Sequence, residues 1–120
     1  MPHKILLIDD DPSVTTLLRL KLQGHGAIVE TSNAVRQAVG IAESFQPDLV
    51  VCDIDLGQEG DGGMVAHELA KKPTTASIPV IFLSSMVNPE DATQQSGGRK
   101  LISKKMPMTQ IIGRILLELV

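Results

Sequence analysis

Residues 4–12 read KILLIDDDP, an apolar run that breaks without transition into three aspartates. A strand covered on both faces shows such a continuous run instead of an alternation, and it ends abruptly where it reaches a polar edge. Asp11 followed by Pro12 then marks a helix start, because an aspartate side chain accepts from orphan backbone N–H groups and proline suits the first turn. The helix beyond carries Val14, Leu17, Leu18 and Leu22 at helical spacing and is stopped by Gly24-His25-Gly26.

The same strand-then-helix unit recurs along the chain. Ala27–Thr31 is a weaker second strand, and Ser32 or Asn33 is the expected cap of a helix with Val35, Ala38, Ile41, Ala42 and Phe45 on one face, ended by Pro47. Asp48–Asp53, Ile78–Leu83 and the thin Leu101–Ile102 complete five strands, with a helical pattern around Met64–Lys71. A last helix from Pro107 shows the core-facing stripe Met108, Ile111, Ile112, Ile115 and Leu119. Alternating elements with short connections predict an α/β fold, a doubly wound parallel sheet with helices on both faces. Pro89–Ser96 is almost wholly polar, so the fourth helix expected there is short or disordered. With 120 residues and 42% apolar content, the chain can bury one core, so 1–120 is expected to be one domain.

Composition narrows the function. A net charge of −3 argues against a surface built for polyanions, and with Phe45 and Phe82 as the sole aromatics there is no platform for stacking bases, so no direct nucleic-acid role is expected. No run approaches the length of a membrane span, the single Cys52 cannot form an internal disulfide, and the N-terminus lacks a signal-type stretch. The expected location is the cytoplasm, and the expected partner another protein. His3, His25 and His67 are scattered without metal-ligand spacing and read as surface residues.

In a doubly wound sheet, ligands sit at the carboxyl ends of the strands. Asp9 and Asp10 follow the first strand and Asp53 ends the third, so three carboxylates converge there. Such crowding is tolerable around a hard divalent cation with oxygen ligands, and Mg²⁺ is the usual choice. Ser84 ends the fourth strand and Lys104 the fifth. A hydroxyl and an ammonium facing a carboxylate–metal centre suit the equatorial oxygens of a phosphoryl group.

ILLIDDDP, PDLVVCDIDL, IPVIFLSS and LISKKMP together resemble the successive motifs of the bacterial two-component response-regulator receiver family, in order and over nearly the whole chain. The resemblance implies a flavodoxin-like strand order 2-1-3-4-5. It makes Asp53 the phospho-acceptor, Asp9 and Asp10 the acidic pair that holds Mg²⁺ with Asp53, Ser84 the switch hydroxyl and Lys104 the phosphate-reading lysine. The backbone carbonyl of Asp55 is an implied further metal ligand. A sensor histidine kinase or phosphotransfer protein would supply the phosphoryl group, and a downstream effector protein or domain, or a second copy of the chain, would read the result. No enzymatic turnover is implied beyond self-phosphorylation and self-dephosphorylation.

Several positions depart from that pattern. Leu101 stands where the family usually has an aromatic, which removes a rotamer switch. Lys105 stands where proline, often with a cis bond, usually follows the lysine, and Pro107 comes two residues late, so the aim of Lys104 is the point in question; Lys105 would take its role if the register slipped. The glycine-rich 57–63 loop lacks the customary proline. These departures admit a second reading, a pseudo-receiver that docks partners without phosphorylation. A third, a Mg²⁺-dependent phosphohydrolase with Asp53-Ile54-Asp55 as its motif, has its acidic pair on the wrong side of that motif.

Overall fold

The computed structural model describes residues 2–54, 62–85, 95–96 and 99–119. Its elements follow the order β1 (Lys4–Ile8), α1 (Pro12–Gly24), β2 (Ile28–Ser32), α2 (Val35–Phe45), β3 (Leu49–Asp53), α3 (Gly62–Ala70), β4 (Val80–Ser84), β5 (Gln95–Ser96), β6 (Arg99–Ser103) and α4 (Met108–Leu117). The sheet runs β2-β1-β3-β4-β6-β5. Its first five members are parallel neighbours, which is the expected 2-1-3-4-5 order. The short β5 is an addition: it pairs antiparallel with β6 through Gln95–Lys100 and Ser96–Arg99. The short helix expected over Pro89–Ser96 lies outside the described residues except at 95–96, where the chain is this strand.

Both faces of the sheet are covered, and the strands divide between them with period two. Ile5, Leu7, Leu49, Val51, Ile81, Leu83 and Ile102 face a core completed by Leu18 and Leu22 of α1 and Ile111, Ile112 and Ile115 of α4. Their strand neighbours Leu6, Ile8, Val50, Cys52, Val80, Phe82 and Leu101 face the opposite core with Ala38, Val39 and Ala42 of α2 and Val65, Ala66 and Leu69 of α3. Central strands flanked by helices on both sides have no solvated face, which is why β1, β3 and β4 read as unbroken apolar runs.

The helix ends show where local chemistry differs from expectation. Asp11 caps α1 as read, its carboxylate accepting from the Ser13 N–H at 2.9 Å. Neither Ser32 nor Asn33 is the N-cap of α2. That position is Ala34, without a side-chain cap, because Ser32 still belongs to β2, from which its hydroxyl donates to Gln37 Oε1 at 3.0 Å. At the other end of α2, Gln46 takes the left-handed conformation usually left to glycine, φ 52°, and its side-chain amide donates to the Glu43 and Thr74 carbonyls, both at 3.1 Å. Those bonds offset the backbone cost and turn the chain toward the buried Pro47 and β3.

Ile115 is fully buried at the centre of the α1/α4-side core. Ile115→Ala is expected to lower the unfolding free energy by about 2–5 kcal/mol, read from urea denaturation, without changing the far-UV spectrum of the folded state.

Candidate functional site

Parallel strands all deliver their carboxyl ends to one pole, and β1, β3, β4 and β6 do so in adjacent register. Asp9 leaves β1 with its N–H on the Ser32 carbonyl at 3.0 Å, and Asp53 is the last residue of β3. Oxygens of Asp9, Asp10 and Asp53 all lie within 4.8 Å of one another. Asp9 and Asp53 are buried and Asp10 is exposed, so the cluster has a closed floor and an open side.

Two contacts pin the Asp9 carboxylate. Oδ1 accepts from the Asp11 N–H at 2.9 Å, and Oδ2 accepts from Lys104 Nζ at 2.8 Å. The same ammonium lies 3.2 Å from Asp53 Oδ2, so one lysine bridges the two buried acids. Burial works against its positive charge, but the hydrogen bond and charge of Asp9 and the charge and hydrogen bond of Asp53 together outweigh it and raise the Lys104 pKa. Lys104 is therefore an ammonium at neutral pH.

Ser84 is buried at the end of β4, and its carbonyl accepts the Lys104 N–H at 2.8 Å, tying the ends of β4 and β6 together. Of the residues singled out from the sequence, Asp9, Asp10, Asp53 and Lys104 meet in one cluster, with Ser84 one backbone hydrogen bond from Lys104. Asp55 lies outside the described residues, as does the 57–61 part of the glycine-rich loop. Of the two neighbouring lysines, Lys104 is the one whose ammonium contacts Asp9 and Asp53, while Lys105 is exposed and its backbone N–H donates to the hydroxyl of the buried Ser103 at 3.1 Å. Sequence reasoning passed over Ser103, since a serine beside a strand end reads as an ordinary loop residue. Leu101 packs into the α2/α3-side core at 7% exposure, so no aromatic stands at that place and the position is filled by core packing. Beside Asp9 and Asp10 a polar cleft of about 540 Å³ opens toward Thr15, Arg19, Asn33 and Gln37.

The donor set is all oxygen, anionic and partly open to water, which fits a hard divalent cation that keeps part of its hydration shell. Among the described residues this is the one grouping of three metal-ligating side chains.

Residues 5–116 match the family model of the response regulator receiver domain. The chain belongs to that family. It is 30% identical over 114 residues to the DNA-binding dual master transcriptional regulator RpaA of Synechocystis, covering 93% of this chain and 47% of that protein. It is 31% identical over 110 residues to a 14.6 kDa protein of the sodA1 3' region of Leptolyngbya boryana, covering 90% and 83%. This receiver thus spans about half the length of RpaA. Among solved structures, a response regulator from Chloroflexus aurantiacus superposes with a TM-score of 0.83 at 24% identity, covering 99% of this chain and 98% of that one. The BeF3-activated N-terminal receiver domain of Klebsiella pneumoniae RstA gives 0.78 at 25%, covering 97% of each. Receiver domains are signalling domains that bind Mg²⁺ at an acidic pocket, and the aspartate cluster of this receiver could hold such an ion. No described helix is long and apolar enough to cross a membrane.

Removing the bridging ammonium would leave Asp9 and Asp53 facing each other without that counter-charge. Lys104→Met is expected to cost about 1–3 kcal/mol of stability at neutral pH and low salt, whereas Lys105→Met stays within about 0.5 kcal/mol. Because the folded-state pKa of Lys104 is raised, its contribution is whole below the ordinary lysine value of 10.5 and is lost as pH rises through the folded value. Urea denaturation of both variants against the parent at pH 8 and above pH 10.5 checks the magnitude and the sign.

Proposed function

We propose that this receiver is a phosphoryl-accepting switch whose acceptor is Asp53. The observation that carries the reading is the convergence of Asp9, Asp10 and Asp53 within 4.8 Å, with Lys104 Nζ within 3.2 Å of both Asp9 and Asp53. An Asp53 carboxylate oxygen attacks the phosphorus of a phosphohistidine on a sensor kinase or phosphotransfer protein. The N–P bond breaks, its electron pair returns to the imidazole nitrogen, and an aspartyl phosphate remains. Mg²⁺ held by Asp9, Asp10 and Asp53, with the Asp55 carbonyl as a further ligand, would neutralise charge on the transferring group.

The residues of the chain supply the rest. Lys104 balances the acids before transfer and offers its ammonium to a phosphoryl oxygen afterward. The Ser84 hydroxyl donates to another. Since Lys104 and Ser84 are bonded to each other through the backbone, new charge on Asp53 pulls on the ends of β4 and β6 together and shifts the surface they carry. That surface addresses a downstream effector protein or domain in the cytoplasm, or a second copy of the chain. Of the three departures that favoured a phosphorylation-independent docking module, Leu101 is part of a core and Lys105 is exposed, while the glycine-rich loop lies outside the described residues over 57–61.

Intact mass spectrometry after incubation with acetyl phosphate and Mg²⁺ tests this. One added phosphoryl is expected on the parent protein, and none on Asp53→Asn or in the presence of EDTA. A folded sample that gains no phosphoryl and binds neither Mg²⁺ nor beryllofluoride would leave the docking module as the better account. Magnesium should also raise the melting temperature of the parent, and Asp10→Asn should blunt that rise.

A further inference from the structure

The ammonium of Lys104 reaches Asp9 and Asp53 although the residue after it is a lysine, so something other than a proline must set its direction. The backbone around Lys104 is held from both sides. Ahead of it, its own N–H donates to the Ser84 carbonyl at 2.8 Å, continuing the β4–β6 ladder in which Ser84 pairs with Ser103. Beyond it, the Ser103 hydroxyl accepts the Lys105 N–H at 3.1 Å, and the Ser103 carbonyl accepts the Met106 N–H at 3.4 Å. Residues 103–106 are thus a β-turn with Lys104 and Lys105 at its centre. Among the described residues Gln46 alone of the non-glycines has positive φ, so neither central residue does. This excludes the type II and primed turns and favours a type I geometry, in which proline is disfavoured at the second central position. Met106 then drops into the α1/α4-side core at 5% exposure and anchors the far end.

We infer that Ser103 is the positioning residue of this receiver, its buried hydroxyl closing the turn on the Lys105 N–H so that Lys104 points at Asp9 and Asp53. Ser103 is fully buried, and a local side-chain-to-backbone bond of this kind can set a turn without help from its neighbours. Replacing the hydroxyl would leave the Lys105 N–H without that acceptor and free the turn to rotate. The lysine would lose its aim without losing its charge.

The inference rests on the phosphoryl-switch reading for its kinetic consequence, so the test has one readout that depends on that reading and one that does not. Ser103→Ala is expected to slow phosphorylation by acetyl phosphate roughly ten- to a hundred-fold, as misplacement by about an ångström does. Ser103→Thr, which keeps the hydroxyl, should stay near the parent rate, and Ser103→Ala in a Lys104→Ala background should add no further loss. The independent readout is the Lys104 ammonium resonance in ¹⁵N NMR at low temperature. It should be protected from solvent exchange in the parent and in Ser103→Thr, and lost in Ser103→Ala. A parent that takes no phosphoryl while the resonance follows this pattern sinks the switch and keeps the positioning role. A protected Lys104 resonance in Ser103→Ala, or a rate loss there that adds in full to that of Lys104→Ala, overturns the positioning role itself.

Discussion

A single ammonium between two buried carboxylates is the contact around which the functional pole is organised. Asp9 and Asp53 end neighbouring strands of a sheet covered on both faces, where burial leaves little water to screen their repulsion. Lys104 lies against both and is held there by β6, which is itself bonded to β4. Taking either acid out of water is costly unless the charge is paired and its lone pairs are used, and the Asp11 N–H on Asp9 Oδ1 supplies part of that satisfaction. The same arrangement leaves Asp10 in solvent, so the cluster can be approached from one side without opening the core.

The core makes this placement possible. Alternate side chains of β1, β3 and β4 fill two separate apolar clusters, so a slip of one residue in any of these strands would exchange the two sets and carry its terminal acid to the other face. Asp9 and Asp53 have the same parity as Ile5, Leu7, Leu49 and Val51, which places both on the α1/α4 side of the sheet. Apolar register along the strands therefore decides which polar atoms meet at their ends.

Most of this was readable in advance, for reasons that separate by residue. Strands buried on both faces are unmistakable as KILLI or LVVCD, and acids directly after them can only emerge at the carboxyl pole. Lys104 was readable because alternation set it apart from Lys105. The errors fall where local chemistry overrode pattern. Gln95–Ser96 has no periodicity and gains its strand character from the Arg99–Lys100 backbone opposite. Arg99 and Lys100 hid the start of β6, since charged residues do not announce a strand. Ser32 looked like a cap but remained in β2, leaving Ala34 to begin α2 uncapped. Ser103 carried no signal at all, because its hydroxyl matters only once the turn that it closes exists.

The β5 strand bears on how the molecule coexists with copies of itself. A parallel sheet that stopped at β6 would present the full length of that strand's backbone at its margin, a template on which another extended chain could add. Gln95–Ser96 turns back along the first part of β6 in the opposite direction and occupies that margin with a polar stretch two residues long. A newcomer there would meet the backbone of Arg99 and Lys100 already paired. The sheet is thus finished at the start of β6 like a fabric with a short selvedge, its outermost thread running against the weave.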